Sequence, residues 1–257
     1  VVEKLGALVA TGLGKDYGDQ QGLDPLDLRI ELHQRVALVG HNGSGKTTLL
    51  RMAAGLLEPT SGKVEVHGFP AGSLPARRVC AYLSDHPTFY DDLSMWEHLE
   101  YVARLHGVAD WQQLGADLLG VLGLYDRADD LPGRFSRGLR QKAAIALAFV
   151  RPFEVLLVDE PFVGLDSAGK DALIGLLEQA ADEGATLLVA THELSYVERV
   201  ERVIALRDGA LAFDGRPGEV DVDALVRNEW AGAVDETGDV ADTERGASDA
   251  LNGDAAG

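Results

Sequence analysis

Short aliphatic runs alternate along the chain with longer stretches in which apolar residues recur every three or four positions. Residues 36–39, 81–83, 155–158 and 187–190 are apolar or aromatic throughout, without polar alternation. That is the pattern of strands covered on both faces in a mainly parallel sheet. Between such runs lie helical periods: over 46–57, Leu49, Leu50, Ala53, Leu56 and Leu57 fall at helical spacing. Ser94 followed by Glu97 forms a capping box ahead of a helix over 95–106, because hydroxyl and carboxylate together satisfy free first-turn amides. Near the end of the pattern, runs at 203–206 and 211–213 flank Asp208-Gly209, a hairpin signal that closes the fold with an antiparallel edge. The alternation predicts an α/β domain. No fixed-period repeat or long heptad run is present, which argues against solenoids and coiled-coil arms.

Composition narrows the class. The 257 residues suit one domain of ordinary size plus a tail, and a hydrophobic fraction of 46% supplies a sizeable core. The folded body is expected over residues 1–230. Residues 231–257, rich in Ala, Gly, Asp, Glu and Thr, are expected to be a disordered acidic tail, because they hold few large apolar groups to offset the entropy of ordering. The formal charge is -19; the tail contributes -6 of it, so the body is itself acidic and repels a phosphate backbone over most of its surface. Nucleic acid is therefore not an expected partner. The single cysteine, Cys80, has no partner for an internal disulfide, and no charged, apolar, small-residue leader is visible, so a reducing cytoplasm is the expected setting. Apolar runs such as 143–150 fall short of the roughly 18 to 20 residues that cross a bilayer.

Chemistry enters at the end of the run 36–39. Gly40-His41-Asn42-Gly43-Ser44-Gly45-Lys46-Thr47-Thr48 fits G-x-x-x-x-G-K-[ST] between a strand and a helix, the context that gives this pattern meaning. Glycines let successive amides face phosphates, and the helix N-terminus adds partial positive charge. Lys46 is expected to reach the β- and γ-phosphates and the Thr47 hydroxyl to ligate Mg²⁺. Downstream, the apolar run 155–158 ends in Asp159-Glu160. Asp159 would hold Mg²⁺ directly or through water, and Glu160 would orient or deprotonate the attacking water. A phosphate loop alone leaves kinases, GTPases, helicases and transport ATPases open.

Three further segments decide among them: Phe135-Ser136-Arg137-Gly138-Leu139-Arg140-Gln141, Gly164-Leu165-Asp166, and His192 after the run 187–190. In that order, with the loop and the acidic strand, they make the chain resemble the ABC ATPase family across nearly the whole body. The resemblance implies a P-loop NTPase core with a mainly parallel sheet, antiparallel β elements, and a helical subdomain at about 88–150 carrying the signature motif. The segment 135–141 resembles the LSGGQ signature, with Arg137 and Leu139 where its first glycine and its glutamine would stand. By resemblance, Ser136, Arg137 and Gly138 meet the γ-phosphate held by a second subunit. Asp166 matches the D-loop between the two sites, His192 the switch histidine, and Tyr17 the aromatic that stacks on adenine.

The clearest departure is in Tyr82-Leu83-Ser84-Asp85-His86-Pro87, which aligns with the family's Q-loop and has Asp85 in place of glutamine. Either Asp85 joins Thr47 and Asp159 around the metal, or the loop is displaced and His86 or water substitutes. The loop 88–93 would, by resemblance, help form a groove for a partner's cytoplasmic helix.

The function implied is Mg²⁺-dependent ATP hydrolysis by a transporter subunit. Two ATPase subunits, alike or different, close on ATP and drive a polytopic transmembrane permease from the inner face of the cell membrane. The Ser136-Arg137-Gly138 form and Asp91-Asp92-Leu93-Ser94 resemble exporter-type subunits. The alternatives are a non-transport ABC ATPase, such as an assembly engine for iron–sulfur clusters, and a degenerate partner of an active subunit. Lys46, Asp159, Glu160 and His192 argue against degeneracy.

Overall fold

A computed structural model of the chain describes residues 5–18 and 22–226; the expected acidic tail lies outside the described residues. In chain order the elements are β1 (Leu8–Lys15), β2 (Leu23–Ile30), β3 (Arg35–Val39), α1 (Lys46–Ala53), β4 (Ser61–Val66), β5 (Phe69–Pro70), α2 (Leu74–Val79) and β6 (Cys80–Leu83). There follow α3 (Met95–Leu105), α4 (Trp111–Val121), α5 (Arg137–Phe149), β7 (Val155–Asp159), α6 (Ser167–Asp182), β8 (Thr186–Ala190), α7 (Leu194–Val197), β9 (Arg202–Arg207), β10 (Ala210–Gly215) and α8 (Val222–Val226).

The principal sheet has six strands in the order β10-β9-β3-β8-β7-β6. Four of its five pairings are parallel; the exception is the β9–β10 hairpin at one edge. The expected strands all appear in it, and the physical reason is visible in their burial. In β3, Val36 and Leu38 join one apolar cluster while Ala37 and Val39 join the other. Both faces are covered, so no polar residue interrupts the run. On one face lie Met95 and Leu99 of α3, Leu118 and Leu119 of α4, Ile145 of α5 and Leu173 and Leu177 of α6. On the other lie Leu49 and Leu50 of α1 together with Leu8, Ile30 and Val64 of a second sheet. Each such leucine contributes roughly 1.5 to 3 kcal/mol by leaving water. The helices α3, α4 and α5 lie between β6 and β7 in the chain, within the stretch expected to form a helical subdomain.

The second sheet, β2-β1-β4-β5, is wholly antiparallel and supplies antiparallel β elements of the kind the family resemblance implied; its strands mix polar and apolar positions and gave no unbroken run. One expectation needs correction: the helix expected over 46–57 stops at Ala53. Gly55 adopts φ 70°, and the amides of Leu56 and Leu57 turn back to the Arg51 carbonyl at 2.8 and 3.2 Å. This is a left-handed stop of the kind glycine permits. Leu56 consequently points outward, 64% exposed, instead of joining the core.

The capping box forms as expected: the Glu97 amide donates to Ser94 Oγ at 3.2 Å and the Ser94 amide donates to Glu97 Oε2 at 2.8 Å. It opens the helix that buries Met95 and Leu99. We predict that Ser94→Ala lowers stability by about 1 kcal/mol, read as a lower denaturation midpoint with an unchanged slope.

Candidate active site

The phosphate loop occupies residues 40–45, between β3 and α1. Its outer side is fixed by main-chain contacts. A Cβ on Gly40 would lie 2.2 Å from the Leu206 carbonyl oxygen, so only glycine lets the loop pack against β9. The Gly209 amide donates to the Ser44 carbonyl at 3.2 Å, and the Gly209 carbonyl accepts from the Asp24 amide at 2.8 Å. His41 Nε2 stands 3.1 Å from Asp208 Oδ1, adding a side-chain tie to the same hairpin. On the inner side is a cavity of about 300 Å³ lined by Gly22, Asn42, Gly43, Ser44, Gly45, Lys46, Thr47, Thr48, Asp85 and Glu160. The N-terminus of α1 opens on it, which favours an anion.

Lys46 is nearly enclosed, 7% exposed. Its ammonium donates to the Gly40 carbonyl at 2.6 Å and the His41 carbonyl at 3.2 Å, and lies 3.6 Å from Glu160 Oε1. Burial pulls its pKa below the ordinary lysine value, while Glu160 and Asp159 oppose that shift. Asp159 ends β7 and is fully buried. Burial pushes its carboxyl above the usual range; the Thr47 hydroxyl opposes the shift and the charges of Asp85 and Glu160 add to it. One of its oxygens, Oδ2, accepts a long hydrogen bond from the Tyr82 hydroxyl at 3.4 Å, whereas Oδ1 is buried without a protein partner.

Glu160 follows directly in the strained left-handed region, φ 44°, with its amide held by the Ala190 carbonyl at 2.8 Å. A non-glycine residue there costs of order 1 kcal/mol or more. The gain is orientation: the carboxylate leaves the strand end toward the cavity, where Oε2 lies 3.0 Å from His192 Nδ1. The structure thus brings Lys46, Asp159, Glu160 and His192 together from β3–α1, β7 and β8.

Asp85 lies on the cavity lining, so its loop is not displaced from the phosphate site. Ser84 Oγ donates to its Oδ1 at 3.2 Å, and Arg51 Nη2 approaches the same oxygen at 3.9 Å. Asp85 also lines a second hollow, a groove of about 570 Å³ with Phe89, Asp91, Arg137, Arg140 and Gln141. His86 is on that side, largely exposed.

Ser136, Arg137, Gly138 and Asp166 are not part of the phosphate cavity lining in the same chain. Ser136 caps α5, its Oγ accepting from the Leu139 amide at 3.4 Å. A Cβ on Gly138 would meet the Gly164 carbonyl oxygen at 2.5 Å, and Arg137 packs against Gly164 from the other side. Asp166 caps α6 through the Gly169 amide at 2.9 Å and pairs with Lys142 of α5 at 2.9 Å; the Lys142 ammonium first, then the amide, hold its carboxyl below the usual range. Tyr17 is half exposed, with Lys15 Nζ 5.5 Å from its ring centroid, and its edge faces Gly22 at the mouth of the cavity.

Sequence reasoning missed Gly22, Arg51 and Tyr82. No motif contains Gly22, and tertiary packing alone brings it to the loop. Arg51 had a readable signal: it is four residues after Thr47 and so shares its face of α1.

The family described as ABC transporter matches residues 23–163. The SkfA peptide export ATP-binding protein SkfE of Bacillus subtilis is 36% identical over 205 residues, covering 79% of this chain and 86% of that protein. The macrolide export ATP-binding/permease protein MacB of Hyphomonas neptunium is 34% identical over 210 residues; the match covers 78% of this chain but 33% of that longer protein. A solved structure of an ATP-binding subunit of an ABC transporter superposes with a TM-score of 0.76 at 31% identity, covering 82% of this chain and 90% of that one.

The tight approach of α5 to Gly164 generates a direct test. Gly138→Ala places a methyl group against a backbone oxygen that has no rotamer to escape with. The variant is expected to lose about 1 to 3 kcal/mol of stability, measured by denaturant unfolding.

Proposed function

The chain belongs to the ABC transporter family of ATP-binding subunits, and from that membership we propose that it powers export by ATP-driven pairing of two such subunits beneath a permease. The observation that carries the catalytic reading is the Glu160 carboxylate, held between Lys46 at 3.6 Å and His192 at 3.0 Å on the wall of the phosphate cavity. In this reading the loop 40–48 and the end of α1 bind the triphosphate of ATP. Lys46 meets the β- and γ-phosphates, and Tyr17 offers a face to adenine. Glu160 accepts the proton of the attacking water, and His192 fixes the carboxylate's direction.

Mg²⁺ fits the residues present. The buried, partnerless Asp159 Oδ1 is an acceptor that a metal-bound water would satisfy, and the Thr47 hydroxyl is beside it. Among the described residues no group of three or more His, Cys, Asp or Glu side chains forms a metal cage. Bound there, Mg²⁺ would neutralise charge on the phosphate oxygens. Asp85 is assigned to the metal side of the same cavity.

The capped N-terminus of α5, with Ser136, Arg137 and Gly138, is not on the lining of its own chain's cavity and would complete the site of a second copy, with Asp166 at the junction. The groove beside it supports permease docking. Asp85, Phe89, Asp91, Arg137, Arg140 and Gln141 line that groove. No helix among the described residues is long and apolar enough to cross a membrane, so membrane attachment is assigned to the permease. The export proteins among the relatives favour transport over a soluble assembly engine.

Glu160→Gln is expected to retain ATP binding, to lower turnover by about 10²- to 10⁴-fold, and to accumulate an ATP-bound dimer in light scattering. Hydrolysis at the parental rate would refute the general-base assignment. Asp85→Gln is expected to change the Mg²⁺ and Mn²⁺ dependence of hydrolysis; identical metal profiles would place this carboxylate outside the reach of the metal.

A further inference from the structure

The wall of the phosphate cavity near Asp159 carries two charges of opposite sign that act on the same buried group. Asp85 is on the cavity lining, and its charge helps to push the Asp159 carboxyl upward. Arg51, on the last turn of α1, brings Nη2 to 3.9 Å from Asp85 Oδ1. The same guanidinium interacts with Tyr82, whose hydroxyl donates to Asp159 Oδ2 at 3.4 Å. Arg51 is thus placed between the partly buried carboxylate of Asp85 and the tyrosine that donates to the fully buried Asp159.

A site for a polyanion gains nothing from a third uncompensated carboxylate beside Asp159 and Glu160. Lys46 lies beside Glu160 and, in the proposed reading, serves the β- and γ-phosphates. His86 Nε2 is 3.8 Å from Asp85 Oδ2, but its side chain is 77% exposed and carries charge only when protonated. Arg51 is charged at every working pH. Taking as its premise that Asp85 faces the metal side of the site, we propose that Arg51 is the counter-charge that allows an aspartate to occupy that position. Arg51 is accordingly a positioning residue: it offsets the charge of Asp85, so that this carboxylate would stand near Mg²⁺ with less repulsion toward the triphosphate.

Because Arg51 is 45% and Asp85 27% exposed, the pairing is screened and its effect is modest and sensitive to salt. The test is a double-mutant cycle on the full chain, using equilibrium binding of an imido-bridged, non-hydrolysable ATP analogue with Mg²⁺ and with chelator. Arg51→Met is expected to weaken Mg²⁺-nucleotide binding about two- to fivefold in the parental chain and less than about 1.5-fold when Asp85→Asn is present. Arg51→Lys, which keeps the charge, is expected to restore most of the loss, and about 0.5 M salt to shrink it. Thermal unfolding of each variant separates lost folding from lost binding, and Arg51→Gln serves where the methionine variant is unstable. An equal loss in both Asp85 backgrounds, or no loss in either, overturns the pairing. If Asp85→Asn alone leaves the Mg²⁺ dependence of binding unchanged, the premise about Asp85 fails, whatever Arg51 does.

Discussion

Everything at the site depends on how closely the phosphate loop packs against the end of β9. The Leu206 carbonyl occupies the space where a side chain on Gly40 would stand, and the Gly209 amide holds the Ser44 carbonyl. These contacts fix the outer side of residues 40–45, and the N-terminus of α1 is thereby aimed at the cavity. A loop without that backing would have to spend nucleotide-binding energy on ordering itself. Fixed in advance, it presents helix-end charge and Lys46 in one place.

The second constraint is electrostatic. A chain with a formal charge of -19 receives a polyanion, so attraction must be local. It comes from backbone dipoles and from a buried lysine whose pKa is drawn down by desolvation and supported by Glu160 and Asp159. The same carboxylates hold Lys46 in place and perform the proposed chemistry. The left-handed backbone at Glu160 fits this economy: local strain sets the direction of one carboxylate against two partners, Lys46 and His192.

A third feature joins the chemistry to the proposed transport. Asp85 lines both the phosphate cavity and the groove beside Arg137 and Gln141, so a shift of this loop is felt in both. Across the groove, α5 is bound to α6 by the Lys142–Asp166 pair and by the close approach of Gly138 to Gly164. In the proposed cycle the cap of α5 meets nucleotide on a second copy. Those contacts would carry its displacement to the Glu160 side of its own chain through the segment that connects Glu160 to Asp166.

The order of the local sequence already determined the parallel sheet, the phosphate loop, the capping box before α3, the β9–β10 hairpin and the residues gathered around Glu160. Each rests on short-range physics: strands buried on two faces show as apolar runs, glycine spacing shapes a loop, and a capping box needs only four residues. The antiparallel sheet was not legible, because its strands alternate without a clear period and pair across long separations. The stop of α1 was not read either: helical spacing continued to Leu57, and the spacing outweighed the local signal, a glycine at position 55 that takes the left-handed conformation and ends the helix. Tertiary structure alone decided that Asp85 would face the cavity with Arg51 against it, that Gly22 would line the loop, and that Ser136 would lie apart from its own chain's phosphate site. Local pattern names the groups that can do chemistry, but distances between them belong to packing, which no stretch of sequence contains.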